Sequence, residues 1–525
     1  MSGTVFVDLA ATNDGVVTEQ GDVCVIGAGA AGIYLAVQLA GKGLNVILVE
    51  AGNIHCCDAS AVGFDAQFET AFYPGATVGR FFGVGGSTSR WGGQLVPHSR
   101  HDLREHSNGF DTWSHIVQTA AAEAEIVLAR LGWHDGADFS AFAHRQLGDV
   151  GKVLDSAGFD VMASLFLPFQ KKNIAYLLKQ KSSAQGRLKV IYNAVAKAWV
   201  VGQCSATDTR LKQLLAVSNN GNQLEVSANR FVIAAGAIES ARILLELDDS
   251  APLPVIRRGS AIGCLLSDHL SLSIADVAPD SLSRAIDLFA PRFVGDWMRG
   301  FRFIESSLSS DAPRVFSHFI FENQNSGFAL AKELLFAMQG RRWPKVSVSA
   351  VASGMTGLLS LGYKRYCQSV LHIPADTPSH LQMDIEQQPV HTNQISLASK
   401  RDRYGRRIAK INWGINDKDM ENIYQNAQRI LNKWPGKAAG LPELLPTVTG
   451  CNAAKPHDAY HPVATCRMGD DAEAVVDGNM KVFGVENLWV VSTGVLPGAG
   501  TANPTFTMLC LAERLVHHMD ANRVA

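Results

Sequence analysis

The most chemically loaded stretch of the chain opens on a histidine before a proline, His461-Pro-Val-Ala-Thr-Cys-Arg-Met-Gly469. Downstream, Asn503 precedes Pro504 and Thr505. A neutral imidazole is suited to taking a hydroxyl proton near neutral pH, and a carboxamide beside it can orient the same hydroxyl. That pairing fits oxidation of an alcohol carbon by hydride transfer. A lone histidine before a proline is ordinarily structural, so the surroundings must assign His461 its role. Asn503-Pro504 also reads as a helix start, with Asn as N-cap and Pro at the first helical position of a helix running to His518. The positive end of such a helix stabilises negative charge on an electron-rich ring.

The N-terminal part supplies a place for such a ring. Asp22–Ile26 is a short apolar run, followed by Gly27-Ala-Gly29-Ala30-Ala31-Gly32, an alanine-rich helix to Ala40, and a second apolar run, Val46–Val49, closing on Glu50 and Ala51. This order predicts a βαβ unit with a tight phosphate-binding turn. Gly27 permits the turn, Gly29 lets backbone approach a diphosphate, and Gly32 lets the helix pack on the strand. Helix N–H groups face the diphosphate. Glu50 is placed to accept from an adenosine ribose, which disfavours a 2′-phosphate and leaves FAD or NAD. A second cluster, Gly83-Val-Gly85-Gly86-Ser87-Thr88-Ser89-Arg90-Trp91-Gly92-Gly93-Gln94, offers N–H groups and three hydroxyls beside a flat ligand such as a flavin.

Taken together, these segments and Ala235-Gly236-Ala237-x-x-Ser240 resemble the glucose–methanol–choline (GMC) oxidoreductases, in family order and over nearly the whole chain. The Trp91-Gly-Gly-Gln94 loop and the Ala502-Asn503-Pro504-Thr505 ending look most like pyranose oxidases and bacterial sugar-oxidising members. The resemblance implies bound FAD, hydride transfer to flavin N5 with His461 as base and Asn503 as partner, and a sugar or glycoside substrate. A non-sugar alcohol, such as a sterol or lipid-linked one at a membrane surface, is the alternative. It further implies that Ala196 contacts adenine through its backbone and that Gly85–Gln94 line the flavin. Ala235, Gly236, Thr493 and Gly494 join the cofactor site, and Pro504 and Thr505 approach the flavin's pyrimidine edge. Fungal pyranose oxidases tether the flavin through a histidine in this loop. Arg90 lies in Ser89-Arg90-Trp91 here, so FAD is expected to be non-covalent. Ser492 stands where many members have Asp. Ala464 replaces a common Gly, which is tolerable if its φ is not positive. Oxygen or a quinone-like acceptor would take the electrons.

The 525 residues are too many for one small core. Two domains are expected in an α/β (α+β overall) architecture: a discontinuous Rossmann-like FAD-binding domain (1–110, 186–275, 456–525) and a substrate domain (111–185, 276–455), which the resemblance implies is β-sheet-based. Asn220-Gly221 marks a hairpin between Leu214–Val217 and Leu224–Val226. Phe231–Gly236 reads as a buried strand, Ala237–Leu247 as a helix, and Leu441–Pro446 as a connection. Lys plus Arg (47) nearly balance Asp plus Glu (49), which gives no footprint for nucleic acid. Nine scattered cysteines and an acidic, non-signal N-terminus suit a cytoplasmic setting. No metal site is expected, because His55-Cys56-Cys57 lacks a second cluster. The 18 uncharged residues 346–363, flanked by Arg341, Arg342, Trp343 and Arg365, hold eight Ser, Thr or Gly. They are expected to cover a domain, with membrane-surface contact as the second reading.

Overall fold

The computed structural model describes residues 3–522 except 14, 58, 106–108, 181–185, 204–208, 251–255, 258, 306–311, 323–329, 331–332, 335–336, 338–342, 345, 347 and 451–454. Its architecture is mixed α/β, as expected. One eight-stranded sheet is built on parallel neighbours in the order Thr4–Asp8, Leu188–Tyr192, Val46–Val49, Val16–Ile26 and Gln223–Ile233, with Leu488–Val490 pairing the last of these. Thr209–Val217 and Val195–Gln203 extend it antiparallel, and Val217 faces Gln223 across the expected hairpin.

The central strands are apolar because both faces are covered. Val46–Val49 is buried at every position. The helix Ala30–Gly41 packs on the sheet with Ile33, Tyr34, Leu35, Ala36, Leu39 and Ala40 buried, and the helix Pro504–Ala521 lies against it, joined by the Tyr34 hydroxyl donating to Glu513 (2.8 Å). Ile26 pairs with Val49 and with Ile233, and Ile233 pairs with Val490. The carboxyl ends of four parallel strands are therefore flush, and the turns that follow them share one crevice.

The second sheet is antiparallel and nine-stranded, with the main path Leu444–Pro446, His269–Val277, Ser379–Glu386, Val315–Phe321, Trp297–Glu305, Phe159–Phe166 and Gln94–Leu95. Several expectations change here. Leu444–Pro446 is not merely a connection but an edge strand on Ala275–Val277, where a terminal proline is tolerated. Gln94–Leu95 and His269–Val277 pair into this sheet, so the expected boundary at 275 falls inside a strand.

Most of the uncharged segment is the helix Val348–Cys367. Gly357 is buried, whereas Leu359, Tyr363, Tyr366 and nearby Trp343 are exposed. Arg341 and Arg342 lie outside the described residues. Among the described residues no helix is long and apolar enough to cross a membrane.

Candidate active site

The two sheets border a chamber of about 660 Å³. Its lining from the parallel sheet comes from the turns after the flush strand ends: Gly27, Gly29, Ala30 and Ala31; Glu50 and Ala51; Ala235 and Gly236; Ser492 and Thr493. The three turn glycines differ in what they accommodate. A Cβ on Gly32 would lie 1.9 Å from the Gly27 carbonyl oxygen, and one on Gly27 (φ +105°) would lie 2.6 Å from the Ala234 oxygen. Both serve packing within the protein. A Cβ on Gly29 would meet no protein atom within 4 Å, so the space beside it is kept for something else. Gly29 gives the helix no side-chain cap, leaving first-turn N–H groups without intrahelical partners. Ser492 Oγ is buried without a hydrogen-bond partner. Open amides, an orphaned hydroxyl and an unfilled glycine face fit a dinucleotide.

Glu50 lines the chamber and has backbone partners beyond the ribose contact expected of it. Its carboxylate accepts from the backbone N–H of Ala28 (2.7 Å), Gly52 (2.8 Å) and Gly83 (2.9 Å), binding the glycine turn to the second loop. Burial nonetheless raises its pKa against those donors. The second loop also departs from expectation. Its three hydroxyls donate to nearby backbone: Ser87 to Gly79, Thr88 to Gly85 and Ser89 to Gly86. They brace the 3₁₀ turn over Gly86–Ser89. Gly86, Ser87, Thr88, Arg90, Trp91, Gly92, Gly93 and Gln94 line the chamber. Gly85 does not, since a Cβ there would strike Asn173. Gly494 is also set back; its carbonyl accepts from Cys466 N–H (2.8 Å).

Ala196 lines the chamber, but its carbonyl accepts from Arg406 (3.2 Å). Arg406 lies over Phe64 and, with Arg80 and Arg242, surrounds the buried Glu239. Burial would raise the Glu239 pKa, yet the three guanidiniums hold it below the usual carboxylate range. Sequence reasoning missed this arginine-lined wall, whose members are far apart in the chain.

His461, Asn503, Pro504 and Thr505 line the same chamber, with Phe166, Trp91 and Tyr460. His461 is placed by the antiparallel sheet: Asp458 pairs with Leu270, and Val463 bridges to Ser267. The Asp268 carboxylate then clamps both histidines, accepting from the backbone N–H of His269 (2.7 Å) and His461 (2.8 Å), while Tyr73 donates to its other oxygen (2.5 Å). Burial pushes the Asp268 pKa up to about 7. The two imidazoles meet Nδ1 to Nδ1 at 3.0 Å, and His269 Nε2 lies 2.8 Å from the Gly500 carbonyl oxygen. Burial lowers the pKa of both rings; for His461 the neighbouring His269 and Arg302 add to the effect and Asp384 opposes it.

Asn503 stands at the N-cap position with Pro504 following, but its side chain makes no capping bond. Instead its Oδ1 accepts from Arg302 Nη2 (2.6 Å), and Arg302 Nη1 donates to the Thr501 carbonyl. Arg302 is 1% exposed and lies 3.9 Å over the Phe316 ring. Burial lowers its pKa to about 10. With Oδ1 engaged, Asn503 has its N–H₂ group left to donate. Ala464 has φ +67°, so the condition set for replacing glycine there is not met and the backbone is strained. Among the described residues, one carboxylate–imidazole group has metal-like spacing, Glu123, Glu513 and His517. Arg130 and Tyr34 already occupy Glu513.

Residues 389–512 match the family model described as GMC oxidoreductase. Similar curated proteins include the oxygen-dependent choline dehydrogenase of Pectobacterium carotovorum, 25% identical over 302 residues, 55% of this chain and 50% of that one. The corresponding Yersinia pseudotuberculosis protein is 46% identical over 57 residues, 11% of this chain and 10% of its own. The chain spans about half the length of the curated relatives it matches over more than 300 residues. In fold it resembles pyridoxine 4-oxidase from Mesorbium loti (TM-score 0.57, 18% identity, 96% of this chain and 100% of that one). It likewise resembles the formate oxidase of Aspergillus oryzae RIB40 (TM-score 0.58, 14% identity, 96% and 99%). The C-terminal part of the chain is thus similar to the GMC oxidoreductases, and the chain shares its fold with these two oxidases.

Proposed function

We propose that the protein binds FAD non-covalently in this chamber and oxidises the alcohol carbon of a sugar or glycoside, with His461 as base. The carrying observation is that His461 and Asn503 line the same chamber as the turns after the parallel strands. When bound, FAD supplies the hydride acceptor. His461 takes the hydroxyl proton, and the Asn503 amide donates to the same oxygen and holds it as charge develops. The helix beginning at Pro504 adds its positive end nearby.

The lining supports a neutral polyol. Its two carboxylates, Glu50 and Glu239, are both already engaged, one by backbone amides and one by arginines. Gln94 and Asn503 offer carboxamides, and Trp91, Phe166 and Tyr460 offer ring faces. A cationic alcohol is the second reading, because aromatic faces also attract quaternary ammonium groups and a similar protein is named for choline. Oxygen or a quinone-like acceptor completes the cycle.

The test is anaerobic titration of the flavin-loaded protein with pyranoses and glycosides against choline and pyridoxine. Bleaching by the sugars alone is expected; bleaching by choline or pyridoxine alone would replace the sugar reading. Acid precipitation should release the flavin into solution, and flavin retained in the pellet would contradict non-covalent binding.

A further inference from the structure

His269 is fully buried, and no sequence motif pointed to it. Its ring connects two fixed groups: Nε2 lies 2.8 Å from the Gly500 carbonyl oxygen and Nδ1 lies 3.0 Å from His461 Nδ1. A carbonyl oxygen can only accept, so His269 Nε2 must carry a proton. A neutral His269 then has a bare Nδ1, which can only accept. The proton between the two rings must therefore belong to His461 Nδ1. A neutral His461 has one ring proton, so its Nε2 holds a lone pair. Among the described residues His461 Nε2 has no hydrogen-bond partner, and its side chain lines the chamber.

We infer that His269 is a positioning residue that sets the His461 tautomer, through the chain Gly500 C=O, His269, His461, so that the lone pair on Nε2 is available to the substrate hydroxyl. The inference rests on the reading of His461 as base. Without the acceptor at His269 Nδ1, the His461 proton can sit on either nitrogen, and the Nε2–H form cannot take a proton. When Nε2 accepts the hydroxyl proton, His461 becomes an imidazolium whose Nδ1–H bond to His269 strengthens. Several features keep His269 neutral and its ring fixed. Its backbone N–H is held by Asp268, Phe316 packs edge-on at 5.4 Å, and burial opposes its protonation.

The test compares flavin-loaded wild-type protein with His269→Phe, His269→Gln and His461→Ala. Phenylalanine keeps the ring shape and removes both polar ends, whereas a glutamine carboxamide can donate to Gly500 and accept from His461. His269→Phe should retain flavin and substrate KM within about 3-fold yet reduce the flavin at least about 30-fold more slowly, as a wrong tautomer does in other base-assisted reactions. His269→Gln should recover to within about 5-fold of wild type. Nitrogen-15 histidine spectra, with the His461 signal identified by its loss in His461→Ala, should show wild-type His461 protonated at Nδ1. If His269→Phe does not fold, His269→Gln and the wild-type spectrum decide the matter. A wild-type rate in His269→Phe, no recovery in His269→Gln, or an Nε2-protonated His461 would overturn the inference. A wild-type rate in His461→Ala would remove the base itself. Slow His461→Ala with normal His269→Phe would remove only the role of His269.

Discussion

The parallel and antiparallel sheets contribute to the chamber in opposite ways. The parallel sheet contributes backbone: flush strand ends at Ile26, Val49, Ile233 and Val490, followed by turns whose amides and glycine faces border the cavity. The antiparallel sheet contributes side chains acting through others: His269 on His461 and Arg302 on Asn503. The first is a cradle for a large, fixed group. The second, in the proposed reaction, sets hydrogen-bond direction at His461 and Asn503. Damage to the first should therefore empty or unfold the protein, and damage to the second should leave a loaded protein that is slow.

The largest effect is expected within the cradle. Gly32→Val places side-chain atoms into the Gly27 carbonyl and should abolish soluble folded protein. Gly29→Val faces open space, so it should fold with an unchanged melting temperature when free of flavin but bind FAD at least about 10-fold more weakly. Equal behaviour of the two variants, in thermal melts and flavin content, would erase the distinction.

On the antiparallel side, Arg302→Met removes the donor to Asn503 Oδ1 and the Thr501 carbonyl. Flavin content should persist while the rate of flavin reduction falls about 10–100-fold. Leaving each buried acceptor unpaired also costs about 1–3 kcal/mol, readable in denaturant unfolding. Loss of flavin in this variant would place Arg302 in the cradle instead.

The pH profile gives a smaller signal. Burial, with His269 and Arg302 nearby, lowers the affinity of His461 for protons. Its neutral, working form therefore survives below the ordinary histidine range, and flavin reduction should stay flat from about pH 8 to about pH 6. Half-loss of the rate near the ordinary histidine pKa would contradict this.

The smallest effect concerns Ala464. Relief of its left-handed strain should offset the lost methyl, making Ala464→Gly neutral within about 0.5 kcal/mol. The same change at buried, helical Ala36 should cost about 1 kcal/mol or more. Denaturant unfolding of the two variants provides the comparison.

The same contrast explains what could be read in the sequence. The βαβ turn and the Asn220-Gly221 hairpin depend on local spacing, and both were legible. Asp268, His269 and Arg302 were not, because their meaning comes from register between distant strands: His269 opposite Glu386, and Arg302 opposite Met162. In Phe301-Arg302-Phe303 the signal was a charge inside an apolar strand, without any indication of its partner. The Asp268 clamp on two backbone amides likewise leaves no spacing pattern. Glu50 and the loop hydroxyls have backbone partners that only the folded turns reveal.

In the proposed reaction an alcohol gives up its proton to His461 in a chamber that holds FAD. The most direct measurement is the anaerobic rate at which a pyranose bleaches the bound flavin in wild-type protein and in His461→Ala. The expected result is equal flavin content and a rate at least about 100-fold lower in the variant. Equal rates, or a wild-type protein that cannot be loaded with FAD, would contradict the account.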